Sequence, residues 1–365
     1  MSRFLVVHPG PNFSVADVHT GWVEALGELG HKVLAFNLDD RLTFYHSTLL
    51  ETGAKDPRTG AALVRKALSW EQAKAMAVNG IAATAYKFVP EVALVISAFF
   101  VPVAMLDLLR ERGTRVVLVH TESPYQDAEQ LGRAEHADLN LINDPTNLDA
   151  FRQVGPAEYF PHAYRPAVHY PGPATPAMLC DLAFVGTGFP SRIAFFEAMA
   201  ATGELTEVDV MLAGQWQELQ PGSPIYHWLA TDPEECLDNA QTAALYRSAR
   251  LGLNIYRGAG EFAALEAEGP DAADGWALGP REVEMAACGL PFLRQARGEG
   301  DELLPMLPVF DGPDEAAKLV RAWLSEPQRA TDAAMAARAA IDDRTFLHGA
   351  ARLLRRLDKL PRPAR

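Results

Sequence analysis

Arg281 and Glu284 stand three positions apart in LGPREVEMAACGLP, residues 278–291. Pro280 at a first helical position and Gly289 just past the last apolar residue mark a short helix there. At that spacing a guanidinium and a carboxylate share one end of the helix, one turn apart. Such a pair suits a ligand that is anionic at one point and carries hydroxyls at the next. Glu282 and Glu284 equally fit an ordinary role as negative charges near a helix N-terminus, where the helix dipole favours them. A second anion-binding pattern lies in residues 181–199, DLAFVGTGFPSRIAFFEAM. There a buried-strand run enters Gly186-Thr187-Gly188, and a helical pattern begins near Pro190. Strand, glycine turn and helix bring backbone N–H groups up to a phosphate, with Arg192 to supply the cation. The run lacks the third glycine of a dinucleotide fingerprint and the Gly-Lys-Ser/Thr of a Walker loop. Between the two patterns, SARLGLNIYR carries an alternating strand that ends on Asn254 and Arg257.

Acid–base candidates gather at strand ends of the first half, where ligands of open α/β sheets bind. His8-Pro9-Gly10-Pro11-Asn12 follows the first strand, and its glycine lets the chain approach a phosphate or an acceptor. His120 and Glu122 open the string HTESPY after residues 115–118, and Asn143-Asp144 follows residues 139–142 in the same manner. Glu122 can act as a base or orient His120; both roles stay open. His162, in PHAYRP, lies where the chain leaves the first half.

Pro-Arg-x-x-Glu-x-Ala-Ala-Cys-Gly, read with the glycine turn ahead of it, resembles the donor-site helix of GT-B glycosyltransferases. The Gly-Leu-Asn-x-x-Arg and His-Thr-Glu-x-Pro-Tyr strings are similar to those of the spore-maturation-protein-like branch of that group, which includes phage-type enzymes. The resemblance covers residues 90 to 355 and implies two Rossmann-like, doubly wound α/β domains facing a central cleft. It also implies that Glu284 accepts hydrogen bonds from the ribose of a nucleotide sugar, a UDP-sugar, and that Arg281 sits beside the diphosphate. Gly10, Gly186, Thr187, Gly188, Arg192, Asn254 and Arg257 are then expected around the donor, with His120, Glu122 and Arg281 in catalysis. The pattern departs from the family at one point. Retaining members often carry a second glutamate eight positions before the first, and that position here is Trp276. No Asp-x-Asp occurs, which fits a metal-independent mode in which arginines and N–H groups stabilise the departing diphosphate. No cofactor or metal is expected beyond the nucleotide sugar. The acceptor is a hydroxyl of a protein, a glycan or a small molecule. Two alternatives are a sugar-nucleotide-binding module without catalysis and a phage enzyme acting on modified DNA bases.

The bulk properties agree with a soluble, cytoplasmic two-domain protein. The chain has 365 residues, 48% of them hydrophobic and 22% charged, with a formal net charge of −14. That charge disfavours broad attraction to DNA or to an anionic membrane. Cys180, Cys236 and Cys288 are too scattered for a disulfide framework or a zinc site, and no run is long enough to span a bilayer. Strand patterns at residues 4–7, 32–36, 92–97, 115–120, 139–142 and 157–160 alternate with helical ones at 18–29, 70–78 and 104–111. Residues 1–165 read as an acceptor-side domain and 177–330 as the donor domain, joined by a Pro-rich linker at 161–176. Residues 331–360 read as C-terminal helices able to pack back on the first domain, and residues 40–80 as structure peculiar to this chain.

Overall fold

The computed structural model describes residues 1–10, 16–257 and 275–361. The first domain runs β1 (Arg3–Val7), α1 (Ala16–Glu28), β2 (Lys32–Phe36), α2 (Leu38–Ser47), β3 (Leu49–Lys55), β4 (Ala62–Lys66), α3 (Trp70–Phe88), β5 (Val92–Ile96), α4 (Val103–Glu111), β6 (Arg115–His120), α5 (Asp127–Ala134), β7 (Leu139–Ile142), α6 (Leu148–Val154) and β8 (Ala157–Tyr159). Its main sheet is wholly parallel in the order β2-β1-β5-β6-β7-β8. β5, VALVI, is buried along its whole length, because helices cover both faces of a parallel sheet. Residues 40–80 form the end of α2, the antiparallel hairpin β3–β4 and the start of α3. Every residue of the hairpin is exposed.

The second domain runs β9 (Cys180–Val185), α7 (Pro190–Ala201), β10 (Val210–Ala213), α8 (Asn239–Ser248), β11 (Ala249–Asn254), α9 (Pro280–Cys288), β12 (Phe292–Arg294), α10 (Gly298–Leu303), α11 (Pro313–Ser325) and α12 (Pro327–Ala340). Its sheet is parallel in the order β10-β9-β11-β12. Both sheets reverse their winding direction, the first between β1 and β5 and the second between β9 and β11. At such a switch point the two outgoing connections diverge and leave a crevice outside the carboxyl ends of the strands.

The C-terminal helices divide between the domains. Ala330, Ala333 and Ala337 of α12 belong to the core of the second domain. The chain then crosses back, and α13 (Phe346–Leu357) packs Phe346, Ala350, Leu353 and Leu357 into the core of the first. The return runs beside the linker: Tyr164 N donates to Arg344 O at 2.9 Å, and Phe346 N donates to Tyr164 O at 3.2 Å. Thr345 caps α13 by accepting from His348 N. Phe346 packs edge-on to Trp22 at 6.2 Å, and a Cβ on Gly21 would overlap its ring. Truncating a buried Phe leaves a cavity that costs about 3–5 kcal/mol. Phe346→Ala is therefore expected to lower the unfolding midpoint clearly in calorimetry, and an unmoved midpoint would show that α13 is not part of the first domain's core.

Candidate donor and active site

The switch point of the second sheet holds two guanidinium groups. Arg281, in the first turn of α9, donates from Nη1 to Val185 O (3.1 Å) and from Nη2 to Ile255 O (3.2 Å). Arg192, on α7, donates from Nη1 to Thr187 O and from Nη2 to the same Ile255 O, both at 2.9 Å. The two cations flank Phe184, whose ring centroid lies 5.3 Å from the Arg281 guanidinium and 5.4 Å from that of Arg192. Main-chain carbonyls at the ends of β9 and β11 thus fix two positive charges side by side. The glycines serve this packing. A Cβ on Gly186 would collide with the Arg281 guanidinium, and one on Gly188 with the Trp216 ring. Their N–H groups are already spent, Gly186 on Ala213 O (2.8 Å) and Gly188 on Gln215 O (2.7 Å). Gly186 and Gly188 were expected to let the backbone approach a phosphate; what Gly186 admits here is the arginine. Arg192 is 4% exposed, so it props the loop around Thr187, whereas the less buried Arg281 keeps donors for a ligand.

Glu284 lies one turn along α9 and meets groups from two other parts of the chain. Ligand atoms of Asp17 on α1, His169 in the linker and Glu284 all lie within 4.8 Å of one another. Asp17 is held by Arg165 Nη1 at 2.5 Å, and Arg165 also pairs with Glu24 at 2.6 Å. Burial pushes the Glu284 carboxyl up to about 8, with Asp17 adding to the rise and Arg281 opposing it. This is the one group among the described residues with the composition of a metal site. Its imidazole argues against that use. Arg165 N donates to His169 Nδ1 (3.3 Å), so neutral His169 carries its proton on Nε2, which no other group engages. A metal-binding histidine needs the opposite tautomer, with the second nitrogen donating outward.

Polar side chains also join the two domains. Glu122 pairs with Arg257 at 2.9 Å; burial raises its carboxyl and the arginine offsets part of that rise. Arg257 lies 4.0 Å above the Tyr125 ring, and Arg297 donates to Tyr125 Oη at 3.0 Å. Asp144 accepts from Ala277 N at 2.8 Å and lies 3.8 Å from Arg297, which stacks on Tyr256 at 3.9 Å. Tyr159 donates to Glu299 at 2.6 Å, and Arg344 pairs with the same carboxylate at 2.5 Å. Glu282 is occupied by Tyr256 Oη and by Gly279 N, as a carboxylate at a helix start.

The structure also places three further expected site residues. His120 is 1% exposed, bonded through Nε2 to Asn140 Oδ1 (2.8 Å) and packed on Phe151, and burial pushes it down to about 4. It is a neutral core residue and does not reach the cleft. Asn254 is fully buried, with neither side-chain atom bonded. It shares its strand face with Gly252, where a Cβ would meet Met285 of α9. Gly10 takes φ +109 beneath Phe100 and stands at the β1 end of the other switch point, while Pro11 and Asn12 lie outside the described residues. Burial pushes His162 down to about 4, in the field of Glu299 and Asp144. Tyr125 closes the HTESPY string, but Asp17, His169, Tyr256 and Arg297 were not singled out in the sequence. Only Arg297 had a usable signal, since it follows the carboxyl end of β12.

Comparison with known proteins agrees with this fold. A profile of the glycosyl transferase-like family matches residues 192–355, which include Arg192, Arg281 and Glu284. A sucrose-phosphate synthase from Thermosynechococcus elongatus superposes with a TM-score of 0.64 at 14% identity, over 98% of this chain and 99% of that one. The chain has a GT-B fold. A trehalose-6-phosphate synthase (TM-score 0.62, 12% identity, 99% and 100% covered) and Anabaena HepE in complex with UDP-glucose (0.60, 13%, 99% and 100%) share the architecture. No curated protein sequence matches the chain. The expected pair of Rossmann-like domains is the observed fold, and no described helix is long and apolar enough to cross a membrane.

The raised carboxyl of Glu284 sets a pH signature for this GT-B protein. Its proton is held more tightly in the folded chain, up to about 8, than in the unfolded one, near 4.5. The unfolded chain therefore ionises first as pH rises, and stability is lost across that window. Glu284→Gln, which cannot ionise, should gain thermal stability over the wild type between those two pH values and keep a constant lead above them. Parallel unfolding midpoints across the window would contradict the assignment.

Proposed function

We propose that this protein transfers a sugar from a nucleoside-diphosphate sugar, a UDP-sugar, to a hydroxyl acceptor, without a metal ion. The observation that carries the reading is the convergence of Arg281 and Arg192 on Ile255 O, one helical turn from Glu284. Two fixed cations match a diphosphate, and a carboxylate one turn away matches the ribose hydroxyls. The choice of UDP is supported by the GT-B neighbour solved with UDP-glucose. As the glycosidic bond breaks, negative charge grows on the β-phosphate. Arg281, already fixed by two carbonyls, is the group assigned to stabilise that charge. Glu122 is the acid–base candidate that remains once His120 is placed in the core. Its pairing with Arg257 favours the ionised form that could take a proton from the acceptor hydroxyl. We place the chain in the spore-maturation-protein-like branch, on its Gly252-Leu253-Asn254-x-x-Arg257 and His120-Thr121-Glu122 strings. The acceptor is a protein, a glycan or a small molecule; the net charge of −14 counts against modified DNA. Three free cysteines suit the reducing cytoplasm.

The test is transfer or slow donor hydrolysis by purified protein, measured by UDP release from a panel of UDP-sugars with and without EDTA. Release should survive EDTA, and Arg281→Ala should cut it on the order of 100-fold, the usual loss when one donor to developing charge is removed. A folded Arg281→Ala variant with near wild-type turnover, or release that collapses in EDTA, would refute the reading. Binding of UDP-sugar with no release under any condition would favour the non-catalytic module.

A further inference from the structure

His169 is 1% exposed, and its Nε2 has no hydrogen-bond partner. A buried donor left unmade is costly, so a core histidine normally has both nitrogens satisfied. Here Nδ1 is satisfied by Arg165 N, which leaves the proton on Nε2. The segment that carries the ring is held in turn: Arg247 Nη1 donates to Val168 O at 3.1 Å and stacks on Tyr170 at 4.8 Å. Two carboxylates lie within 4.8 Å, those of Asp17 and Glu284. Asp17 already has the Arg165 guanidinium, whereas Glu284 accepts no hydrogen bond from the described residues. An unused donor and an unused acceptor therefore belong to neighbouring side chains.

We infer that His169 is the positioning residue for Glu284, its Nε2–H engaging one carboxylate oxygen so that the other is presented to the ribose hydroxyls of the donor. The inference rests on the assignment of Glu284 to the ribose. The ring sits in the linker and Asp17 on the first domain, so the carboxylate that reads the nucleotide is set by groups from outside the donor domain. Glu284 swings toward Nε2–H as it takes up the hydroxyls, and the buried donor and the buried acceptor are satisfied together.

The experiment compares UDP with 2′-deoxy-UDP by calorimetric titration of the full-length protein as wild type, His169→Leu, His169→Gln and His169→Asn. A structural role would weaken both nucleotides alike, so the readout is their ratio. Above pH 8, where the Glu284 carboxyl is ionised, wild type should prefer UDP by about tenfold, the worth of a hydrogen bond to a charged group. His169→Leu should lose that preference while still binding. His169→Gln, whose amide nitrogen reaches as far as Nε2, should restore it, and His169→Asn, whose shorter amide matches Nδ1, should not. If the leucine variant does not fold, the contrast between Gln and Asn decides. A preserved preference in His169→Leu or His169→Asn, or none in a folded His169→Gln, overturns the inference. Wild type that binds UDP and 2′-deoxy-UDP equally, or binds neither, overturns the ribose assignment itself.

Discussion

At the switch point of the second sheet, Arg192 and Arg281 both donate to the carbonyl of Ile255, so two positive charges are fixed where strands β9 and β11 end. Like charges repel, and the arrangement persists because three carbonyls and the face of Phe184 hold the guanidinium groups in place. Much of the local sequence follows from that constraint. Gly186 must lack a side chain because Arg281 occupies the space, and Gly214, at φ +117, must lack one because it abuts the Gly186 backbone. Pro280 starts α9 where Arg281 falls in its first turn. The reorganisation needed to gather two cations is thus complete before any anion arrives, which is the condition for strong electrostatic stabilisation of a transition state.

The interface between the domains is built from charges and aromatic rings. Glu122 with Arg257, and Asp144 with Arg297, are largely buried pairs, which contribute little net stability because desolvation offsets their attraction. Their effect is on register: each pairs a first-domain carboxylate with a second-domain arginine, and Tyr125 lies against both arginines. The return of α13 to the first domain adds an apolar tie.

Much of the fold was legible in the sequence because parallel strands buried on both faces leave unmistakable apolar runs. β2, β6 and β7 begin and end where the patterning puts them. The break between α12 and α13 was not legible, since the alanine run to Ala340 has no apolar stop and the turn depends on Thr345 as a cap. Arg281 and Arg192, which share Ile255 O, and Glu284, one turn along α9, are legible from local spacing on helices, which sequence shows directly. His120 was misplaced because a strand-end histidine looks alike whether its ring faces the cleft or lies under a helix, and Asn140 and Phe151 decide that from other elements. Asp17 and His169 were invisible for the related reason that they meet Glu284 from distant segments.

A crystal structure of the protein with UDP bound tests the central claim most directly. The account predicts β-phosphate oxygens at hydrogen-bonding distance, about 3 Å, from the Arg281 guanidinium, with the ribose hydroxyls at Glu284. A diphosphate seated instead against Arg297 or Arg257, with Arg281 still turned to its carbonyls, would contradict it.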